Sequence, residues 1–321
     1  MNTSPKPSVN SLSIWAGMIA VYIAWGSTYL AIRFAIETIP PHLMAGMRFL
    51  IAGSMLYLWR RLAGDKRPTR IHWRSGAVIG LLLLLGGNGG VVWAEQRVAS
   101  GIAALLVGSS PLWMILFDAF RPRSAHKRPG WVTMLGVLLG FVGILLLVGP
   151  SQLTGLKGDI DLLGAMVLTL AAFFWALGSL YSREAELPES PLLGTSLEML
   201  CGGAGLLLVG TFTGQWNQFH LVAISLRSLS GLLYLIIFGS LIGFGAYTWL
   251  LRVAPTSLVS TYAYVNPLVA IFVGNLLASE PITPRVLLAA AIIIGAVVLI
   301  TLTQPANAKA KRALAPAEPG D

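Results

Sequence analysis

The sequence predicts an all-α membrane protein whose ten transmembrane helices form two inverted five-helix repeats. Three observations predict it. The chain is 55% hydrophobic and only 11% charged, against roughly 25% charged residues in a soluble domain, so it lacks the polar surface to cover itself in water. Its apolar residues fall into runs near the ~20 residues that cross a bilayer as a helix. The spacing of Gly, Trp and Pro in the first half of the chain also returns in the second.

The first run is SLSIWAGMIAVYIAWGSTYLAI (11–32). It exceeds the roughly 7–15 apolar residues of a secretory signal, and no small-residue cleavage pattern follows it before Arg33. It therefore reads as a retained span. SGAVIGLLLLLGGNGGVVWA (75–94) and WVTMLGVLLGFVGILLLVG (131–149) are equally plain. In order, the expected spans are 12–32, 41–59, 74–94, 99–119, 131–149, 160–181, 191–212, 229–250, 256–278 and 285–303. The tail QPANAKAKRALAPAEPGD (304–321) is Ala/Pro-rich and polar, and reads as disordered. Cys201 stands alone, which excludes an intramolecular disulfide and a Cys-pair metal site.

The net charge of +9 does not point to nucleic acid, because the basic residues lie in loops between spans. Arg60, Arg61, Lys66, Arg67, Arg70 and Arg74 follow the second span, and Arg121, Arg123, Lys127 and Arg128 follow the fourth. Lys309, Lys311 and Arg312 occupy the tail, and Lys6 precedes the first span. With ten spans all of these fall on one side. The other side holds little beyond Arg33, Arg97, Lys157, Arg227 and Arg285. The positive-inside rule then puts both termini in the cytoplasm.

At an offset of 156 residues, Leu85, Gly87, Gly89 and Trp93 meet Leu241, Gly243, Gly245 and Trp249. At the same offset Pro111, Leu112 and Ile115 meet Pro267, Leu268 and Ile271. A slightly smaller offset pairs Gly26-Ser27 with Gly178-Ser179, and Gly143 with Gly295. This divides the chain into a first repeat at 1–150 and a second at 151–303. Because each half has an odd number of spans, the two must lie antiparallel across the membrane. Inverted repeats of this kind occur in many transporters, with the substrate site near the midplane between the halves.

WGSTYLAIRFAIETIPPHLMAGMRFLIAG (25–53) resembles the opening of the EamA-type carriers of the drug/metabolite transporter superfamily. ASGIAALLVGSSPLWMILF (99–117) and APTSLVSTYAYVNPLVAIFVGNLLASEPIT (254–283) resemble that family's two proline-bearing motifs. The resemblance covers nearly the whole chain. It implies a ten-helix carrier of the bacterial inner membrane that exports amino acids, related metabolites or amphipathic compounds. It also implies a central cavity lined by spans one to four and six to nine, with spans five and ten peripheral.

Arg48 lies well inside the second span. A charge there costs about 2.5–3.5 kcal/mol on insertion scales and usually faces a cavity or a partner. Aligning Ala52-Gly53 with Gly202-Gly203 sets Arg48 opposite Glu198 of the seventh span. The two are expected to pair, or to bind the carboxylate and amine of a zwitterion; a structural ion pair or a snorkelling arginine is the simpler alternative. Tyr22, Trp25 and Tyr29 share one helix face, and Trp93, Trp175, Tyr247 and Tyr264 add aromatic surface suited to amphipathic or cationic cargo. Such residues equally anchor spans at membrane interfaces. Asn88, Ser110 and Asn266 are polar at depth and join the cavity candidates. GGNGG (86–90) and GSLIGFG (239–245) read as close-approach surfaces between helices. Glu95 and Asp118, at span ends, read as interfacial, with proton coupling as their alternative use.

Pro111 and Pro267 sit at matching depths of the fourth and ninth spans. Each frees a carbonyl that neighbouring Ser/Thr side chains can satisfy within a membrane. Paired kinks there would bend during alternating access, or simply shape the packing. An embedded enzyme would need a catalytic cluster, but His42, His72, His126 and His220 lie near span ends or in loops without an HExxH pattern. No metal or cofactor is expected, and the partners are a small-molecule substrate and membrane lipid. The remaining alternative is a bidirectional facilitator or channel-like pore for small metabolites.

Overall fold

The computed structural model describes residues 11–120, 130–148, 161–254, 256–259 and 261–303. Among these the chain is helical, without strands. Lys6, Arg121, Arg123, Lys127, Arg128, Lys157, the 150/151 repeat boundary, the tail 304–321 and the side chain of Asp118 lie outside what is described. The elements are α1 (Ser11–Ala35), α2 (Pro41–Leu62) and α3 (Arg70–Ala94), then α4 in two pieces, Ser100–Val107 and Ser110–Phe120. Next come α5 (Trp131–Val148), α6 (Leu162–Ser182) and α7 (Pro191–Phe212). The rod α8 joins Leu226–Tyr234, Leu235–Ile242 and Gly243–Val253. It is followed by α9, in the pieces Thr256–Val259 and Tyr262–Ala278, and by α10 (Pro284–Thr303).

Seven helices among the described residues, α1 and α3 to α8, are long and apolar enough to cross a membrane. Tyr262–Ala278 and Pro284–Ile300 are shorter apolar helices. Helix α2 has the length, at 22 residues, but carries Arg48, Arg60 and Arg61.

Packing is led by α2 on α7 and α5 on α10, with α1 on α9, α4 on α9, α3 on α6 and α7, and α8 on α1 and α2. Small residues allow these approaches. A Cβ at Gly53 of α2 would lie 2.9 Å from Met199 Cβ, and one at Gly203 of α7 would lie 3.0 Å from the backbone N of Leu50. Backbones come closest where α3 crosses α7. A Cβ at Gly80 would collide with the Glu198 carbonyl, and one at Gly202 would lie 2.6 Å from the Gly80 carbonyl.

Two features go beyond the expected plain rods. Helices α3 and α8 each contain a π-helical stretch, Leu81–Asn88 and Leu235–Ile242. There Gly89 N–H reaches back to Leu84 O, and Gly243 N–H to Phe238 O. In addition, α2 and α4 begin without a capping side chain of their own. Gln215 Oε1 instead accepts from His42 N–H (3.1 Å) and Leu43 N–H (3.3 Å), and Glu280 caps α4 as described below.

The Gly80 crossing is testable by thermal unfolding of the detergent-solubilised protein. Gly80→Val should destabilise it by roughly 1–3 kcal/mol through overpacking. Gly295→Ala, whose Cβ would meet nothing within 4 Å, should leave the midpoint unchanged or slightly raised.

Candidate functional site

A cavity of about 110 Å³ lies between α1, α2, α3, α4, α6, α8 and α9; α5, α7 and α10 contribute nothing to its wall. From α1 come Trp25, Thr28, Tyr29 and Ile32, and from α3 come Leu84, Gly87, Asn88 and Val91. Each set follows the i, i+3, i+4, i+7 spacing of a single helical face. Trp175, Phe244, Tyr262 and Asn266 complete the wall from α6, α8 and α9, and Ser110, Pro111 and Pro267 stand at its floor.

The π-helical stretch of α8 places two of these residues. A π turn disturbs the regular i→i−4 ladder and leaves backbone groups available to side chains. The Trp25 indole N–H donates to the Gly239 carbonyl at 3.1 Å, and only glycine fits at Gly243, where a Cβ would collide with Trp25 Nε1. The Trp25 ring then sits 5.1, 5.0 and 5.2 Å from the rings of Phe244, Tyr247 and Tyr262. Arg48 is 3% exposed. Its Nε donates to Ser240 Oγ at 2.9 Å, its guanidinium lies 4.6 Å from the Phe49 ring centroid, and Gly239 leaves room beside Nη2.

Three enclosed polar atoms of the wall have no hydrogen-bond partner in the protein: Arg48 Nη1, Asn88 Oδ1 and Asn266 Oδ1. The wall therefore offers one cationic donor and two amide acceptors beside aromatic rings, and it carries no carboxylate. Among the described residues no cluster of His, Cys, Asp or Glu is arranged to hold a metal ion.

Glu198 stands apart from this site. Arg48 makes no ion pair with it, and Glu198 is absent from the wall. The antiparallel contact of α2 and α7 gives the physical reason. Gly46 faces Leu207 and Gly53 faces Met199, so the level of Arg48 falls near Gly205, about seven residues or ~10 Å along the axis from Glu198. Tyr247 supports Trp25 from behind, and Tyr22 hydrogen-bonds Thr261. Trp93 carries the Arg97 guanidinium 5.0 Å over its ring, and Tyr264 packs into the main apolar core. None of these four lines the cavity.

The two prolines differ in setting. Helix α4 breaks at Gly108-Ser109, immediately before Pro111, whereas Pro267 lies inside the longer piece of α9. The Val107 carbonyl, which Pro111 cannot serve, accepts from Ser110 Oγ at 2.5 Å. The break packs against the other proline: a Cβ at Gly108 would lie 2.9 Å from Pro267 Cγ.

At the end of the bundle where α1 finishes and α4 begins, Glu280 is 6% exposed and accepts four bonds. Ser100 N–H (3.0 Å), Ser100 Oγ (2.9 Å) and Gly101 N–H (3.2 Å) donate to it, and Arg33 pairs with it. The sequence reading passed over Glu280. The available signal is a carboxylate directly following an apolar span, in LLASEPIT (276–283), the same kind of position that Glu95 holds after α3.

Glu280→Ala leaves the α4 donors and Arg33 without their buried acceptor and should cost about 3–5 kcal/mol. Arg33→Ala should cost clearly less, because its side chain is 40% exposed. Thermal unfolding of both variants checks the order.

Comparison with known proteins fits this architecture. A model described as the EamA-like transporter family matches residues 12–149 and 162–302. An uncharacterized inner membrane transporter, YedA, of Escherichia coli K12 is 39% identical over 295 residues, covering 91% of each chain. A WAT1-related chloroplastic protein of Arabidopsis thaliana is 26% identical over 299 residues, covering 90% of this chain and 70% of its own. A crystal structure sharing 20% identity superposes with a TM-score of 0.62 over 91% of this chain and 98% of that one, which speaks to the fold. The chain belongs to the EamA-like transporter family, as a multi-pass membrane protein.

Proposed function

We propose that this protein is an inner-membrane secondary transporter that exports amino acids or related small carboxylate-bearing metabolites by alternating access. In this reading ten spans form two inverted five-helix repeats, with both termini cytoplasmic. The observation that carries the substrate reading is the unpartnered Arg48 Nη1 in a wall without a carboxylate. A buried guanidinium favours a carboxylate, which it can bind through two parallel hydrogen bonds. Asn88 Oδ1 and Asn266 Oδ1 offer acceptors to an amine, and Trp25, Tyr29, Trp175 and Tyr262 suit an apolar or aromatic body. A purely cationic drug fits less well, because Arg48 would repel it with no acidic wall residue to compensate.

The inverted-repeat reading draws support from the packing. Exchanging each helix with the one five places along turns α1–α9 into α6–α4, α3–α6 into α8–α1, and α3–α7 into α8–α2, all of which occur. The pairs α2–α7, α4–α9 and α5–α10 map onto themselves. The π-helical stretches fall at corresponding places in α3 and α8. For alternating access, the candidate seals are the aromatic cluster around Trp25 and the Arg33–Glu280 pair at the start of α4. Pro111, just after the break in α4, and Pro267, which packs against Gly108 at that break, are the bending points in this scheme.

Proteoliposome flux tests the proposal. L-Phenylalanine should show saturable transport and counter-exchange, and 2-phenylethylamine, which lacks the carboxylate, should be at least tenfold poorer. Arg48→Ala should abolish flux while the protein still reaches the membrane, and Arg48→Lys should retain only a fraction. Non-saturating flux would favour a channel, and normal flux in Arg48→Ala would overturn the site assignment.

A further inference from the structure

Resting on the cavity's reading as a carboxylate site, we infer that Glu95 is the proton-binding partner of Arg48, so that binding a carboxylate substrate that lacks an ammonium takes up one proton on Glu95. Glu95 directly follows α3, and its N–H donates to Val91 O at 3.0 Å. It therefore continues the wall-forming face Leu84–Asn88–Val91 one helical turn past the cavity. Glu95 is 3% exposed, and both carboxylate oxygens are enclosed without a hydrogen-bond partner. An interfacial carboxylate would reach water or a donor, and this one reaches neither.

The segment Gly89–Ala94 that leads into Glu95 packs against α2 and α6, and the charged and titratable groups facing Glu95 come from α1, α2 and the connection after α9. Arg48 belongs to α2, Arg33 and Tyr29 to α1, and Glu280 to the connection between α9 and α10. Arg33 is already engaged by Glu280. Arg48 meets only the neutral Ser240 hydroxyl and the Phe49 ring, and its Nη1 has no hydrogen-bond partner among the described residues. Arg48 is thus the one cation near Glu95, among the described residues, that stands open to the cavity.

Charge balance then sets the coupling. At pH values above the unloaded titration point of Glu95, the Arg48 cation offsets the Glu95 anion. A substrate carboxylate that brings no ammonium of its own would then leave two anions near Arg48 in a poorly solvated interior, which is costly. Glu95 relieves this by taking a proton from the solvent on its carboxylate oxygen, which makes a neutral acid and keeps the net charge unchanged; a zwitterion carries its own compensating charge and needs no proton. Carboxylate and proton bind together, so affinity falls as pH rises between the unloaded and loaded titration points of Glu95. For one linked proton the slope is about tenfold per pH unit. Coupled in this sense, an inward proton gradient drives such a carboxylate inward, and its export requires an outward substrate gradient that exceeds the inward proton gradient.

Two measurements on the full-length solubilised protein test this. The first needs no ligand: the infrared band of the protonated Glu95 carboxyl is identified by its loss in Glu95→Gln and followed with pH. In Arg48→Gln that band should persist to higher pH by about one unit or more; an unmoved band overturns the inference. The second is calorimetry with benzoate, and with zwitterionic L-phenylalanine as the control, in buffers of different ionisation heat. Benzoate binding to wild type should take up close to one proton and L-phenylalanine binding none, whereas Glu95→Gln should take up none with either and bind benzoate with an affinity flat in pH. Benzoate binding to wild type without proton uptake overturns the inference. Absence of carboxylate binding with the infrared shift intact overturns the reading of the cavity instead, so the two failures are told apart.

Discussion

In a lipid-embedded bundle every backbone polar group must find its partner within the protein, because hydrocarbon supplies none. The irregularities of this structure all answer that constraint. Where α4 breaks, Ser110 takes over the carbonyl that Pro111 cannot serve. Where α8 widens into a π turn, the Trp25 indole takes the Gly239 carbonyl. Where α2 and α4 start without a cap, Gln215 and Glu280 reach in from distant loops. Two of these repairs, those of Ser110 and Trp25, also place side chains in the cavity wall.

Charge follows the same logic at higher cost. A buried ion pair is sound only when its remaining donors and acceptors are satisfied. Glu280 meets that standard through three donors of α4 together with Arg33. Arg48 and Glu95 do not, since each keeps enclosed atoms without partners. A satisfied pair stabilises one arrangement, whereas an unsatisfied one responds to whatever enters the cavity. This contrast separates the Glu280 cap from the groups proposed to meet substrate and proton.

The scaffold is more symmetric than its chemistry. Helix pairs exchange across the two halves, yet Pro111 follows a break while Pro267 sits inside a helix. Arg48 lines the cavity while its sequence counterpart Glu198 lies a helix crossing away. Packing tolerates pseudo-symmetry because it depends on residue size, and glycines recur at the crossings. Binding a small asymmetric molecule requires different groups on the two sides.

The amino-acid sequence by itself determined that the chain is helical and membrane-embedded, because hydropathy acts over about twenty adjacent residues and needs no partner. Helix limits were legible for the same reason: the expected 191–212 is Pro191–Phe212, and 131–149 is Trp131–Val148. Trp25, Tyr29, Arg48, Asn88, Ser110, Trp175 and Asn266 were each conspicuous as aromatic or polar residues at depth, and the tertiary structure gathers them around one cavity. Only that structure decided which residues meet. The π-helical stretch of α8 receives Trp25 and Arg48 from other helices, and the cap at Glu280 joins residues separated by 180 positions. The register of α2 on α7 separates Arg48 from Glu198, although alignment of the repeats makes them counterparts. Such contacts depend on crossing angles and side-chain fit between segments far apart in the chain, which no local pattern encodes.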